Sequence, residues 1–248
     1  LQILQTRIFS FTLWHHLAYM VITVALMGMA AAGSWLSIRK KKIQKPERFL
    51  TFCSLGFSLS SIVSLAVAVR IPLDTFMPDK IQQFTYIFLY YLLLIFPYFF
   101  AGMAISFVFV LISKRINFYY MANLAGSAVG GMAVLPVMEL LGAEGAVFAV
   151  SLLGIFSALF SSISGKDRKS IIVSVFFLIV FASLFPFRKE MLPARPPASK
   201  ALGIGYTYDS GQKIIHTKWD RVARIDVFEN RHSQGFFNYF PDLKNKVI

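Results

Sequence analysis

Ionisable and amide side chains are rare in the long apolar stretches of this sequence, and the few present are the candidates for chemistry. His15 and His16 follow Trp14 early in the chain, Asn123 lies in a glycine-rich stretch, and Glu139 comes near the end of that stretch. Polar groups at membrane depth are ligand-site or ion-site candidates by default. The same side chains can also lie at the wet interface or bond between helices, and the sequence leaves both interpretations open.

If this chain binds a ligand, His16, Asn123 and Glu139 are predicted to meet it, and the ligand is predicted to be cationic. Adjacent histidines point about 100° apart on a helix, so one metal ion cannot readily take both. Cys53 is the only cysteine, and no Cys/His spacing typical of a metal site is present. No nucleophile–base or paired-carboxylate arrangement has supporting context. We therefore predict no catalytic residue, no metal and no cofactor in this chain.

A stripe of small residues is predicted to be a packing face. Ala122, Gly126 and Gly130 recur every four residues, a spacing that lets the backbones of two membrane helices approach closely. A leucine at either glycine is expected to force those backbones apart. A hinge or a cavity wall is the less favoured alternative.

Composition places the chain in the membrane class. Of its 248 residues, 56% are hydrophobic and 15% are charged, whereas soluble domains carry about 25% charged residues. Blocks of about 20 apolar residues can cross a bilayer core of about 30 Å. The sequence predicts an all-α polytopic membrane protein with about six transmembrane helices, followed by the first β-strands of an incomplete soluble domain. The predicted spans are residues 13–36, 49–69, 84–112, 118–141, 145–163 and 171–187.

The chain changes character after the last span. Residues 1–187 form the predicted transmembrane domain, and residues 188–212, rich in proline and basic residues, are typical of a linker. Apolar and polar residues alternate in the stretch 221–229, which is the period of a half-buried strand. A pair of β-strands by itself is not a stable domain. Residues 213–248 are therefore expected to begin a longer soluble domain.

Lysine and arginine are concentrated in alternate short loops. The net charge of +13 suits either nucleic-acid binding or the positive-inside distribution of membrane proteins. Because the basic residues lie between apolar blocks, we predict a multi-pass protein of the plasma (inner) membrane with no nucleic-acid partner. The loops after spans one, three and five are predicted to be cytoplasmic, which places both termini on the other side. Their basic residues are Arg39, Lys40, Lys41, Lys42, Lys45, Arg48, Lys114, Arg115, Lys166, Arg168 and Lys169.

Several segments together resemble multi-pass membrane proteins fused to a spermidine-synthase-like domain. They are residues 6–19 (TRIFSFTLWHHLAY), residues 120–131 (YMANLAGSAVGG), Pro136 and residues 139–142 (ELLG). Residues 218–228, which contain KWD and RIDVF, resemble the strands that open the soluble domain of that family.

The resemblance implies a membrane domain that anchors a spermidine-synthase-like domain and handles its polyamine substrate or product. It also implies that an α/β domain follows, whose glycine-rich loop binds decarboxylated S-adenosylmethionine and whose acidic residue deprotonates the attacking amine. Neither element is in this sequence, so these residues alone are not expected to transfer an aminopropyl group. Such an enzyme belongs in the cytoplasm, whereas the charge distribution places the C-terminus outside. A transporter-like domain and a purely structural anchor therefore stay open as alternatives.

Overall fold

The computed structural model describes residues 1–13, 19–39, 43–71, 79–112, 115–193, 214–219 and 224–228. Within these ranges the chain is mostly helical, with one small sheet near its C-terminal end. The helices are α1 (Gln2–Thr12), α2 (Met20–Arg39), α3 (Pro46–Ala68), α4 (Lys80–Leu111), α5 (Ile116–Ser164), α6 (Arg168–Leu184) and α7 (Arg188–Met191). A 3₁₀ turn, Phe185–Phe187, joins α6 to α7, and the strands are β1 (Ile214–Trp219) and β2 (Arg224–Phe228).

Helix α5 is two helices joined at one glycine. Gly142 has φ 76° and ψ 172°, outside the helical region. Asn123, before this break, and Ser157, after it, line the same cavity, although an unbroken helix would separate them by about 51 Å. The first half (116–141) and the second half (143–164) therefore run back alongside each other, as the two predicted spans require.

The predicted multi-pass helical architecture agrees with the structure, but the first span is wrong in detail. Five helical segments, 20–39, 46–68, 80–111, 116–164 and 168–191, are long and apolar enough to cross a bilayer, and the break in α5 divides the fourth. The first predicted span, 13–36, instead corresponds to α2, preceded by the separate helix α1. Helix α1 ends at Thr12 because Leu13 is extended, with φ −125° and ψ 175°.

The end of the last span also differs from prediction. Helix α6 begins at Arg168 rather than residue 171, and the chain stays helical through α7, where a linker was expected. Leu192, just after α7, is buried in the main apolar core. The first residues of the predicted linker therefore pack on the transmembrane domain.

Helices α2 and α4 are in close contact through glycine. A methyl group at Gly28 would lie 2.8 Å from the Cβ of Tyr98 and 2.9 Å from the carbonyl oxygen of Ile95. One helical turn further along, Gly102 of α4 lies against Ala32 of α2. Small residues therefore let these two backbones approach closely.

Helix α3 packs against the second half of α5 through hydroxyl side chains. Thr51 Oγ1 and Ser162 Oγ lie 3.0 Å apart, and Ser58 Oγ donates to the carbonyl oxygen of Ser151 at 2.8 Å. All four residues are buried. These bonds join the helices where lipid offers no hydrogen-bond partners.

One end of the bundle carries an ion pair, and we call it the basic end. At the basic end, Arg48 at the start of α3 contacts Asp167 at the start of α6. This contact brings together the loops that follow α2 and α5, both rich in Lys and Arg. The sidedness predicted from the loop charges stays a prediction, but these two basic loops share one end of the molecule.

The β-hairpin lies at the opposite end of the bundle. Strands β1 and β2 pair antiparallel, with Trp219 opposite Arg224, which agrees with the predicted strand pattern. The Trp219 ring is packed edge-on against Phe11 of α1, with centroids 5.6 Å apart. A methyl group at Gly142 would lie 3.9 Å from Cδ1 of Trp219. The hairpin thus contacts both α1 and the turn between the two halves of α5.

Candidate functional site

A cavity with one polar and one apolar wall opens near the basic end. Its volume is about 590 Å³, and it lies between α3, α4 and both halves of α5. The polar lining residues come from α3 and α5: Glu47, Ser54, Tyr119, Asn123, Ser157, Ser161 and Ser164. The lining residues of α4 are apolar: Ala104, Ile105, Val108, Phe109, Leu111 and Ile112. We call this the basic-end cavity.

Hydroxyl side chains hold the polar wall together. Ser54 Oγ and Ser157 Oγ lie 3.2 Å apart, which joins α3 to the second half of α5. Near the end of the helices, Ser161 Oγ donates to the carbonyl oxygen of Glu47 at 2.9 Å. The backbone at Glu47 is thus held by a hydrogen bond from the neighbouring helix.

An ion pair closes the basic end beside the cavity. Arg48 donates from Nε and from an Nη atom to the two carboxylate oxygens of Asp167, at 2.6 and 2.8 Å. Ser170 Oγ donates to the same carboxylate at 2.6 Å. The bond from Arg48, followed by that from Ser170, holds the pKa of Asp167 well below its ordinary value. Asp167 therefore stays ionised and engaged within the protein at neutral pH.

The structure places the three predicted ligand residues differently. Asn123 lines the basic-end cavity and is partly buried. Glu139 is exposed and lies sixteen residues further along the same helical half, about 24 Å away at 1.5 Å per residue. His16 lies outside the described residues. Asn123 and Glu139 are too far apart to contact the same small ligand in this arrangement, and the role of His16 stays a prediction.

The predicted packing face of the first half of α5 meets no neighbour among the described residues. A methyl group built at Gly126 or Gly130 has nothing within 4 Å, and Ala122 is exposed. The packing role of these three residues stays a prediction, and it needs a partner other than the described part of this chain.

Glu47 is the functional candidate that sequence reasoning missed. Its position after Pro46 is typical of the first turn of a helix, where a carboxylate favours the helix dipole, and nothing further was inferred from it. One signal was available, because Glu47 is the only acidic residue in the basic stretch 37–48. A single carboxylate among so many basic residues is a candidate partner for a cation.

The described lining of the basic-end cavity has groups that can bind a cation. Glu47 supplies one negative charge, and the described lining residues include no lysine or arginine. The amide of Asn123 and the serine hydroxyls can donate or accept hydrogen bonds. Over the described ranges, no three His, Cys, Asp or Glu side chains lie close enough to hold a metal ion.

A second cleft has a different chemical character. It has a volume of about 580 Å³, opens between α3, α4 and α6, and is lined mainly by Phe, Leu and Val, with Ser60 and Ser64 as its only hydroxyl-bearing lining residues among those described. The described lining of this cleft carries no charged side chain, and its two hydroxyls offer a polar ligand fewer partners than the basic-end cavity does. The basic-end cavity is therefore the candidate site.

Comparison of the chain with protein-family models, curated proteins and solved structures finds no match.

Proposed function

We propose that this chain is the membrane domain of a spermidine-synthase-like membrane protein, and that it binds a small organic cation of the polyamine type in the basic-end cavity. The observation that carries the proposal is the pairing of one carboxylate, Glu47, with an uncharged polar wall that includes Asn123. An organic cation that leaves water needs such oxygen atoms in exchange. The family assignment rests on the sequence resemblance alone.

The docked hairpin favours a second role as an anchor. Trp219 is 7% exposed, and the Arg224 guanidinium lies 4.5 Å from the centre of the Phe11 ring. These contacts tie whatever follows the hairpin to the end of the bundle opposite the cavity. Anchoring and ligand binding are compatible because they use different ends of the molecule.

Charge-selective cysteine labelling tests ligand binding in the cavity. Ser157→Cys, made in a Cys53→Ala background, places a thiol on the cavity wall. Two methanethiosulfonate reagents, one bearing trimethylammonium and one bearing sulfonate, are compared after normalising each rate to a free thiol. The cationic reagent should react at least about threefold faster than the sulfonate reagent. In water, a single negative charge about 6 Å from the thiol changes the local concentration of a charged reagent by about that factor. Glu47→Gln should remove that preference.

Ser37→Cys is the matched control, since Ser37 is exposed at the basic end and does not line the cavity. The surrounding lysines and arginines should favour the anionic reagent there. If both positions prefer the sulfonate reagent, and Glu47→Gln changes neither rate, the cavity does not select cations and only the anchoring role stands.

A further inference from the structure

Among the described residues that line the basic-end cavity, the negative charge available to a ligand is one unit. Glu47 is the only acidic residue among the described lining residues. In the sequence, residues 40–42 and 113–114, which adjoin the described ends of α2 and α4, contain no Asp or Glu. The neighbouring carboxylate of Asp167 already accepts hydrogen bonds from Arg48 and Ser170. A ligand with several ammonium groups would find a counter-charge for one of them.

The rest of the cavity disfavours a second charge. The α4 wall consists of alkyl and phenyl side chains, and an ammonium group placed against it would lose water without gaining a hydrogen bond. Outside the cavity, Arg115 and Lys166 are exposed and lie within three residues of the lining residues Ile112 and Ser164. A second ammonium group directed towards the mouth would meet positive charge.

We infer that the ligand of the basic-end cavity is an amphipathic monoamine, with a single ammonium group at Glu47 and an uncharged body along α4. The inference rests on the cation site of the proposed function and replaces its polyamine with a ligand that carries one positive charge. The alkyl part of such a molecule would bury the apolar wall, and hydroxyl or amide groups on it would face Asn123 and the serine hydroxyls. Spermidine carries several ammonium groups, so it fits poorly in a cavity that has one carboxylate and an apolar α4 wall.

Three six-carbon probes separate charge number from chain length. The Ser157→Cys protein in the Cys53→Ala background is labelled with an uncharged methanethiosulfonate, in the presence of hexylamine, 1,6-diaminohexane or 1-hexanol. Hexylamine should protect the thiol at a concentration at least about threefold lower than diaminohexane, because the second ammonium group loses its water without a partner. Hexanol should protect least, and Glu47→Gln should reduce protection by hexylamine to that by hexanol.

Labelling at Ser37→Cys controls for nonspecific effects of the amines and should not change. If diaminohexane or spermidine protects as well as hexylamine, and Glu47→Gln abolishes that protection, the monoamine inference is overturned while the cation site stands. If no amine protects and the charged reagents show no preference at Ser157→Cys, the proposed function fails as well. The two failures are therefore distinguishable.

Discussion

The two halves of α5 are both apolar and both contain glycine, yet their surroundings differ sharply. In the first half, all of which is described, Met138 is the only buried residue. In the second half, Gly154 faces Ser58, and a methyl group there would also lie 2.9 Å from the Phe57 ring and 3.2 Å from the carbonyl oxygen of Ser54. Glycine alone therefore does not mark a packing face.

Complementary partners distinguish the packed half from the open half. The second half carries hydroxyl side chains that match those of α3, as in the pairs Thr51–Ser162 and Ser54–Ser157. In the first half, Gly126 and Gly130 face open space. A small residue brings helices together when the facing helix presents small or hydrogen-bonding groups at the same level. Four substitutions can break or sharpen this contrast.

The largest effect is expected for Gly154→Leu. The inserted side chain would collide with Ser58 and with the backbone of Ser54, and backbone atoms cannot move aside without separating the helices. Overpacking of this kind typically costs about 1–3 kcal/mol and sometimes more. We expect a clear fall in thermal stability in detergent, or loss of folded protein, with Gly154→Ala giving a smaller fall. If both variants keep the wild-type melting temperature, α3 and the second half of α5 are not in close contact at Gly154.

Gly142→Ala should come next, because it acts at the junction of the two halves. With φ 76° and ψ 172°, Gly142 adopts a conformation that residues with a Cβ rarely reach, at a cost of about 1–3 kcal/mol. The control is Gly33→Ala on α2, where a methyl group has nothing within 4 Å and alanine should stabilise the helix by up to about 1 kcal/mol. Opposite shifts in melting temperature are expected, and equal shifts would argue against the turn.

Asp167→Asn should have a smaller effect that depends on pH. The pKa of Asp167 is lowered in the folded protein, so its contribution to stability is present above the unfolded pKa of about 3.9 and is lost as pH falls towards the folded value. The variant should melt slightly lower than wild type at pH 7, and the difference should shrink below about pH 4. A difference that widens on acidification would contradict the ion pair with Arg48.

Gly126→Leu should have the smallest effect, although it is the same chemical change as Gly154→Leu. In dilute detergent, where copies of the chain are separated, the new side chain enters open space and the melting temperature should stay within error of wild type. Molar mass by light scattering should be measured on the same sample. A large fall in stability would show that this face is covered, as predicted for Ala122, Gly126 and Gly130. A molar mass above that of one chain would identify the cover as a second copy, and a molar mass of one chain would identify it as another part of the same chain.

Much of the fold could be predicted because it follows from local sequence. The break in α5 lies between residues 141 and 145, where the sequence leaves a gap between two apolar blocks. Strand β2 lies within the alternating stretch 221–229. The separate helix α1 was not predicted, because its residues mix polar and apolar side chains and contain no long apolar block. The candidate site was half predicted, since Asn123 was identified on chemical grounds while Glu47 was not.

The sequence by itself determined the membrane class, the number of apolar helices to within one, and the concentration of basic residues in alternate loops. These properties depend on composition and on spacing along the chain. Only the tertiary structure decided that Gly28 and Gly154 are packed while Gly126 is open, and that Glu47, rather than Glu139, shares a cavity with Asn123. Such pairings join residues at least 67 positions apart, and they depend on the rotation and level at which each helix meets its neighbour.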